Sequence, residues 1–126
     1  MHTDYSAQYE LGVAGERAAV KWYLEEGYTL LGQRQRMISG EIDAVVEDTD
    51  GTIVFVEVKS RRGGAFGAAE AVTAKKFQTM RRCAAQWLDK HPEVGYREVR
   101  FDVVECVIDG DDCVIRRFPG VEDAAC

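Results

Sequence analysis

Apolar positions between residues 6 and 26 recur at intervals of three and four. Gly12/Val13, Ala19/Val20 and Tyr23/Leu24 fall on one stripe, which predicts a helix over Ser6–Glu26 that stops at Gly27. Glu16 is a charge inside that stripe, and Leu11 and Trp22 lie off it, as a second apolar face for packing elsewhere or against another subunit. Tyr28–Arg34 reads as a strand. From Gly40 the period shortens to two: Ile42, Ala44 and Val46 point one way, Glu41, Asp43, Val45 and Glu47 the other. Thr52–Lys59 continues in the same manner, with Thr52, Val54, Val56 and Val58 opposed to Ile53, Phe55, Glu57 and Lys59. Gly63, Gly64 and Gly67 mark a loop over Arg61–Gly67. Ala68–Lys90 is a second predicted helix, with a stripe of Ala69, Val72, Met80, Cys83/Ala84 and Trp87 that has Lys76 inside it. Arg97–Ile108 and Cys113–Phe118 read as two further strands around the turn Asp109–Asp112. Helix, three strands, helix, two strands predicts an α/β fold: a single domain over residues 1–119, a mixed β-sheet flanked by helices, with a short tail at 120–126.

Length and charge refine this picture. The chain has 126 residues, 46% apolar and 30% charged, enough for one core without staples. Its net charge of −6 argues against non-specific coating of nucleic acid. The charge is uneven, however. Lys59–Lys90 holds eight basic residues against two acids, a net of +6, which leaves −12 for the rest. Such a segment can form a local phosphate-facing surface or simply a solvated helix face. The longest strongly apolar run, Ile53–Val56, is far below the roughly 18 residues that span a bilayer. The first residues, Met1–Tyr5, have neither the cationic nor the apolar part of a secretory signal. Cys83, Cys106, Cys113 and Cys126 show no close-paired spacing, so reduced thiols in a cytoplasmic protein are expected rather than structural zinc, with Cys83 and Cys106 in the core.

Candidate chemistry comes from the middle hairpin. A three-residue loop Thr49-Asp50-Gly51, with Gly51 left-handed, pairs Asp48 with Thr52. Counting back sets Asp43 opposite Glu57, with Lys59 two residues along on the same face. A two-residue loop would slide the pairing by one and separate the acids. Facing carboxylates repel unless a cation neutralises them, and hard oxygen ligands suit Mg²⁺ or Mn²⁺. A lysine beside such an ion can orient water or stabilise developing charge, so acid, acid and lysine are a minimal kit for phosphodiester hydrolysis. The plainer alternative is a solvent-facing hairpin with a weak Glu57–Lys59 surface pair. Against it stand the apolar neighbours Val45, Ile53 and Phe55, and the lone charges Glu16 and Lys76, which are expected to reach a common polar pocket. Asp102 is expected to pair structurally with Arg100. Met80 and Trp87 read as core, Arg81 and Arg82 as solvent-facing, and neither His2 nor His91 as a base.

Gly40-Glu41-Ile42-Asp43, Phe55-Val56-Glu57-Val58-Lys59 with Arg61, Phe66-Gly67, Val72, Lys76 and Arg100-Phe101-Asp102-Val103-Val104 together resemble the YraN-like family, as do Gly12, Gly15-Glu16, Ala19, Leu24 and Gly27. The resemblance spans about residues 10–108. It implies a restriction-endonuclease-like fold with a PD-(D/E)XK nuclease core, similar to the dimeric archaeal Holliday-junction resolvases. It further implies Asp43 and Glu57 as metal ligands with the Val58 carbonyl as a third, Lys59 as the catalytic lysine, and Glu16 as the helix acid completing the shell. Arg36, Arg61 and Lys76 become nucleic-acid contacts. Arg34 stands where the family pattern has asparagine, a departure that bears on the strand end rather than on the metal site. The expectation is a Mg²⁺- or Mn²⁺-dependent nuclease acting on DNA, branched DNA included, as a homodimer and away from membranes. The alternative is a non-catalytic nucleic-acid-binding or protein-interaction module on the same fold.

Overall fold

A computed structural model describes residues 3–63, 73–96, 98–110 and 112–120. The elements are α1 (Thr3–Glu25), β1 (Thr29–Met37), β2 (Gly40–Glu47), β3 (Thr52–Arg62), α2 (Ala74–Lys90), β4 (Glu98–Asp109) and β5 (Asp112–Phe118). The strands lie in the order β1-β2-β3-β4-β5. Neighbours are antiparallel except β3 and β4, which run parallel along their whole lengths from Thr52↔Glu98 to Arg62↔Ile108. A parallel pair needs a crossover, and α2 supplies it.

Each helix covers one face of the sheet. α1 sets Ala19, Val20 and Tyr23 on Ala44, Val46, Val54, Val56, Val104 and Cys106. α2 sets Phe77, Met80, Cys83, Ala84 and Trp87 on Met37, Val45, Ile53, Phe55 and Phe101. The expected α/β architecture, a mixed sheet between helices, is therefore the observed one.

Several boundaries differ from expectation. β1 continues to Met37 rather than ending at Arg34. α2 begins at Ala74, because Thr73 is extended and its side chain accepts the Lys76 N–H at 3.1 Å, an N-cap worth about 1 kcal/mol. The helical expectation for Ala68–Val72, the loop residues Gly64–Gly67 and the tail at 121–126 lie outside the described residues. Leu24, assigned to the buried stripe of α1, is exposed. Trp22 is no spare apolar face: it packs on the α1 cluster with the Arg117 guanidinium 4.9 Å above its ring.

Asp102, fully buried, ties the elements together. It accepts from Tyr23 Oη at 2.7 Å, Arg100 Nε at 2.9 Å, Arg117 Nη1 at 3.2 Å and the Gly120 N–H at 3.2 Å. A buried carboxylate without such donors would be very costly. The expected Arg100–Asp102 pair is thus part of a larger clamp joining α1, β4 and β5. Burial and the neighbouring Asp102 charge together push the Tyr23 hydroxyl far above the usual tyrosine range.

Candidate metal and phosphodiester site

The β2–β3 turn forms as its residues dictate. Asp48 N–H donates to Thr52 O at 2.9 Å and Gly51 N–H to Asp48 O at 3.0 Å, with Gly51 at φ +89. The register follows, from Glu47↔Ile53 to Ala44↔Val56. There the ladder stops, one pair before Asp43 and Glu57. The alternation of hydrogen-bonded pairs would next join the Val58 N–H to Ile42. Instead Val58 N–H donates to Asp43 Oδ2 at 2.7 Å. The side chain of Asp43 replaces a main-chain bond, and its carboxylate sits in the fork where β2 and β3 part. A strand residue turns its N–H and C=O toward the same neighbour, so the Val58 carbonyl faces that fork too.

The pattern of faces also breaks here. Ile42, expected beside Ala44 and Val46, packs with Val45 in the α2 cluster. Its partner Gln35 accepts from Trp87 Nε1 at 3.2 Å, on the same side. The break falls at Asp43, between the pairs Gln33↔Ala44 and Gln35↔Ile42, where Arg34 is left-handed at φ +51.

Glu57 is 7% exposed. Its Oε2 is bracketed by Lys59 Nζ at 3.5 Å and, from α2, Lys76 Nζ at 3.4 Å. Among the described residues no Lys or Arg forms such an ion pair with Asp43. Burial first, then the Glu57 charge, push its carboxyl up to about 7, against the downward pull of the Val58 N–H; Glu16 and Glu41 add to the rise. The acids therefore form one electrostatic group. A hollow lined by Glu41, Ile42, Phe55, Val56, Glu57 and Met80 opens beside them.

Glu16 reaches this group in charge but is held elsewhere: Arg34 Nε donates to its Oε1 at 2.7 Å. Arg34, expected to bear on the strand end, thus also bonds a helix acid of α1. Arg61 lies with its Nε 3.8 Å from Glu105 Oε2. Arg36 is exposed on β1 opposite Glu41. The structure thus brings together Asp43, Glu57, Lys59, Lys76 and the Val58 backbone, with Glu16 adjacent and Arg36 and Arg61 toward the periphery.

Glu105 was missed. It is fully buried, directly across from Lys59 in the parallel ladder and from Arg116 in the antiparallel one. Its signal is present in the sequence, as the second acid beside Asp102 in the otherwise apolar run Phe101–Ile108.

Among the described residues no group of three or more His, Cys, Asp or Glu side chains is arranged to hold a metal ion by itself. The donor set is two carboxylates and a carbonyl. That suits Mg²⁺, which keeps several waters and commonly takes only one or two carboxylates together with substrate phosphate. Burial and the Glu57 charge, which together raise the Asp43 carboxyl, are what a divalent cation would offset.

Comparison with known proteins adds the family. A profile described as "Uncharacterised protein family UPF0102" matches residues 15–106. A UPF0102 protein of Corynebacterium efficiens is 49% identical over 119 residues, covering 92% of this chain and 94% of its own. One from Corynebacterium diphtheriae is 37% identical over 117 residues, covering 92% and 93%. Another, from Beutenbergia cavernae, is 46% identical over 95 residues, covering 75% and 79%. The matched span holds Glu16, Asp43, Glu57, Lys59, Lys76 and Asp102 alike, and the chain belongs to the uncharacterised UPF0102 family, the YraN-like family of the sequence resemblance.

Proposed function

We propose that this protein hydrolyses nucleic-acid phosphodiester bonds, with Mg²⁺ or Mn²⁺ held by Asp43, Glu57 and the Val58 carbonyl. The observation that carries this reading is the fork itself: Asp43, its carboxyl raised to about 7, beside a buried Glu57 that is contacted by two lysines. The divalent cation would supply charge neutralisation and a more acidic bound water. The chain's own groups do the rest. Asp43 and Glu57 would hold the ion in the fork between β2 and β3. Lys59, 3.5 Å from Glu57, would orient the attacking water or meet the charge that develops on phosphorus oxygens. Lys76 brings a second cation from α2 for the phosphate, and Arg61 and Arg36 extend the positive surface to either side. DNA, branched DNA in particular, is the substrate class we assign, and a homodimer would double the phosphate contacts available to an acidic chain.

The test is incubation of the purified protein with a panel of linear, flapped and branched DNA and RNA in Mg²⁺ or Mn²⁺. Nicking is expected that falls at least 100-fold in Asp43→Asn, Glu57→Gln and Lys59→Ala variants of unchanged melting temperature. Absence of cleavage on every substrate with both metals contradicts the proposal. A second reading, a non-catalytic binding module, is favoured by one observation, the engagement of Glu16 by Arg34. It predicts nucleic-acid binding that survives chelation and Asp43→Asn.

A further inference from the structure

Arg34 is the residue at the site that the proposed chemistry leaves unused. Among the described residues it is the one non-glycine with a positive φ, +51, a region that L side chains other than Asn and Asp seldom enter. Such backbone persists only where the surroundings impose it. Here the side chain reaches α1. Its Nε donates to Glu16 Oε1 at 2.7 Å, its Nη1 to Tyr9 Oη at 3.3 Å, and the guanidinium stands 5.6 Å from the centre of the Tyr9 ring. The Glu16 side chain is only 14% exposed, so a close cation matters more to it than to a surface acid. Arg34 falls opposite Asp43 in the β1–β2 register, between the pairs Gln33↔Ala44 and Gln35↔Ile42, so the carboxylate it holds is carried to the strand position beside that acid.

We propose that Arg34 is a resident counter-cation for Glu16, which it keeps out of the divalent-cation shell at Asp43 and Glu57. The inference rests on the divalent-cation reading above and deepens it. A guanidinium and a metal ion compete for the same carboxylate, so each weakens the hold of the other. Recruitment of Glu16 to the ion requires release of Arg34. Arg34 is then a positioning residue that sets how tightly the site takes its cation.

The test is calorimetric titration of MnCl₂ into the full chain, with the melting temperature of each protein measured alongside. Arg34→Asn removes the cation and tolerates the left-handed backbone; Arg34→Gly serves the same comparison if the first variant folds poorly. Arg34→Asn is expected to bind Mn²⁺ about tenfold more tightly than the wild type, within the usual range of coupling between sites. The double variant Arg34→Asn/Glu16→Gln is expected to return to wild-type affinity, which a merely structural role of Arg34 would not produce. Equal affinity in wild type and Arg34→Asn, or a gain that persists in the double variant, overturns the inference and leaves the metal site standing. Absence of Mn²⁺ binding in both wild type and Arg34→Asn overturns the metal site as well.

Discussion

At the scale of single residues, Asp43 is the pivot of the site. Its carboxyl is pushed from 3.8 to about 7 by burial and by the Glu57 charge. Between those values the folded protein keeps a proton that the unfolded chain has released. In divalent-free buffer this group's contribution to stability therefore falls as pH rises from about 4 to about 7 and is level above. Thermal melts across that range should show the decline in wild type and a flatter profile in Asp43→Asn; identical slopes would mean the carboxyl is not raised. The β2–β3 register as far as Ala44↔Val56 could be read from the sequence because turn chemistry set it, and Gly51 took the left-handed position that the count required. The reach of Arg34 to Glu16 and Tyr9 could not be read. An unbroken strand alternation hides a left-handed residue, and the same break carried Ile42 to the face opposite the one its position suggested.

At the scale of elements, the distance between α1 and the sheet decides where Glu16 lies. Gly15 is buried, and a Cβ placed there would stand 1.8 Å from Ser60 Oγ and 2.9 Å from Ser60 Cβ. The hydroxyl can rotate away, but the Cβ cannot. Gly15→Ala gains about 1 kcal/mol of helix propensity and loses about 1–3 kcal/mol to overpacking. The clash is expected to win, lowering the melting temperature by several degrees, with recovery in Gly15→Ala/Ser60→Gly. A variant as stable as wild type would show that α1 does not need this close approach. Asp102 makes a stronger case. Asp102→Ala strips the partner from Tyr23, Arg100, Arg117 and the Gly120 N–H, and about 3–5 kcal/mol is expected to be lost in chemical denaturation. The two-residue pairing of Arg100 and Asp102 was legible as a local motif. The reach of Tyr23 and Arg117 was not, because it joins positions 79 and 15 residues away.

At the scale of the molecule, the fold places one helix on each face and leaves the site at the fork between β2 and β3. Element order and the mixed sheet followed from periodicity, since long strands and amphipathic helices declare themselves at two and 3.6 residues. The start of α2 did not, because a cap at Thr73 outranks an apolar pattern that continues through it. Charge is also a whole-molecule property. A chain of −6 that binds nucleic acid must use its positive segment, so affinity should fall steeply with salt and fall further in Lys76→Ala, as measured by fluorescence anisotropy; salt-independent binding would point to another surface. If Asp43 and Glu57 share a divalent ion beside Lys59, a crystal grown with Mn²⁺ will show it. An anomalous difference peak between the two carboxylates and the Val58 carbonyl is the expected result. Crystals at saturating Mn²⁺ with no peak there, and with Lys59 and Lys76 still closed on Glu57, would contradict it.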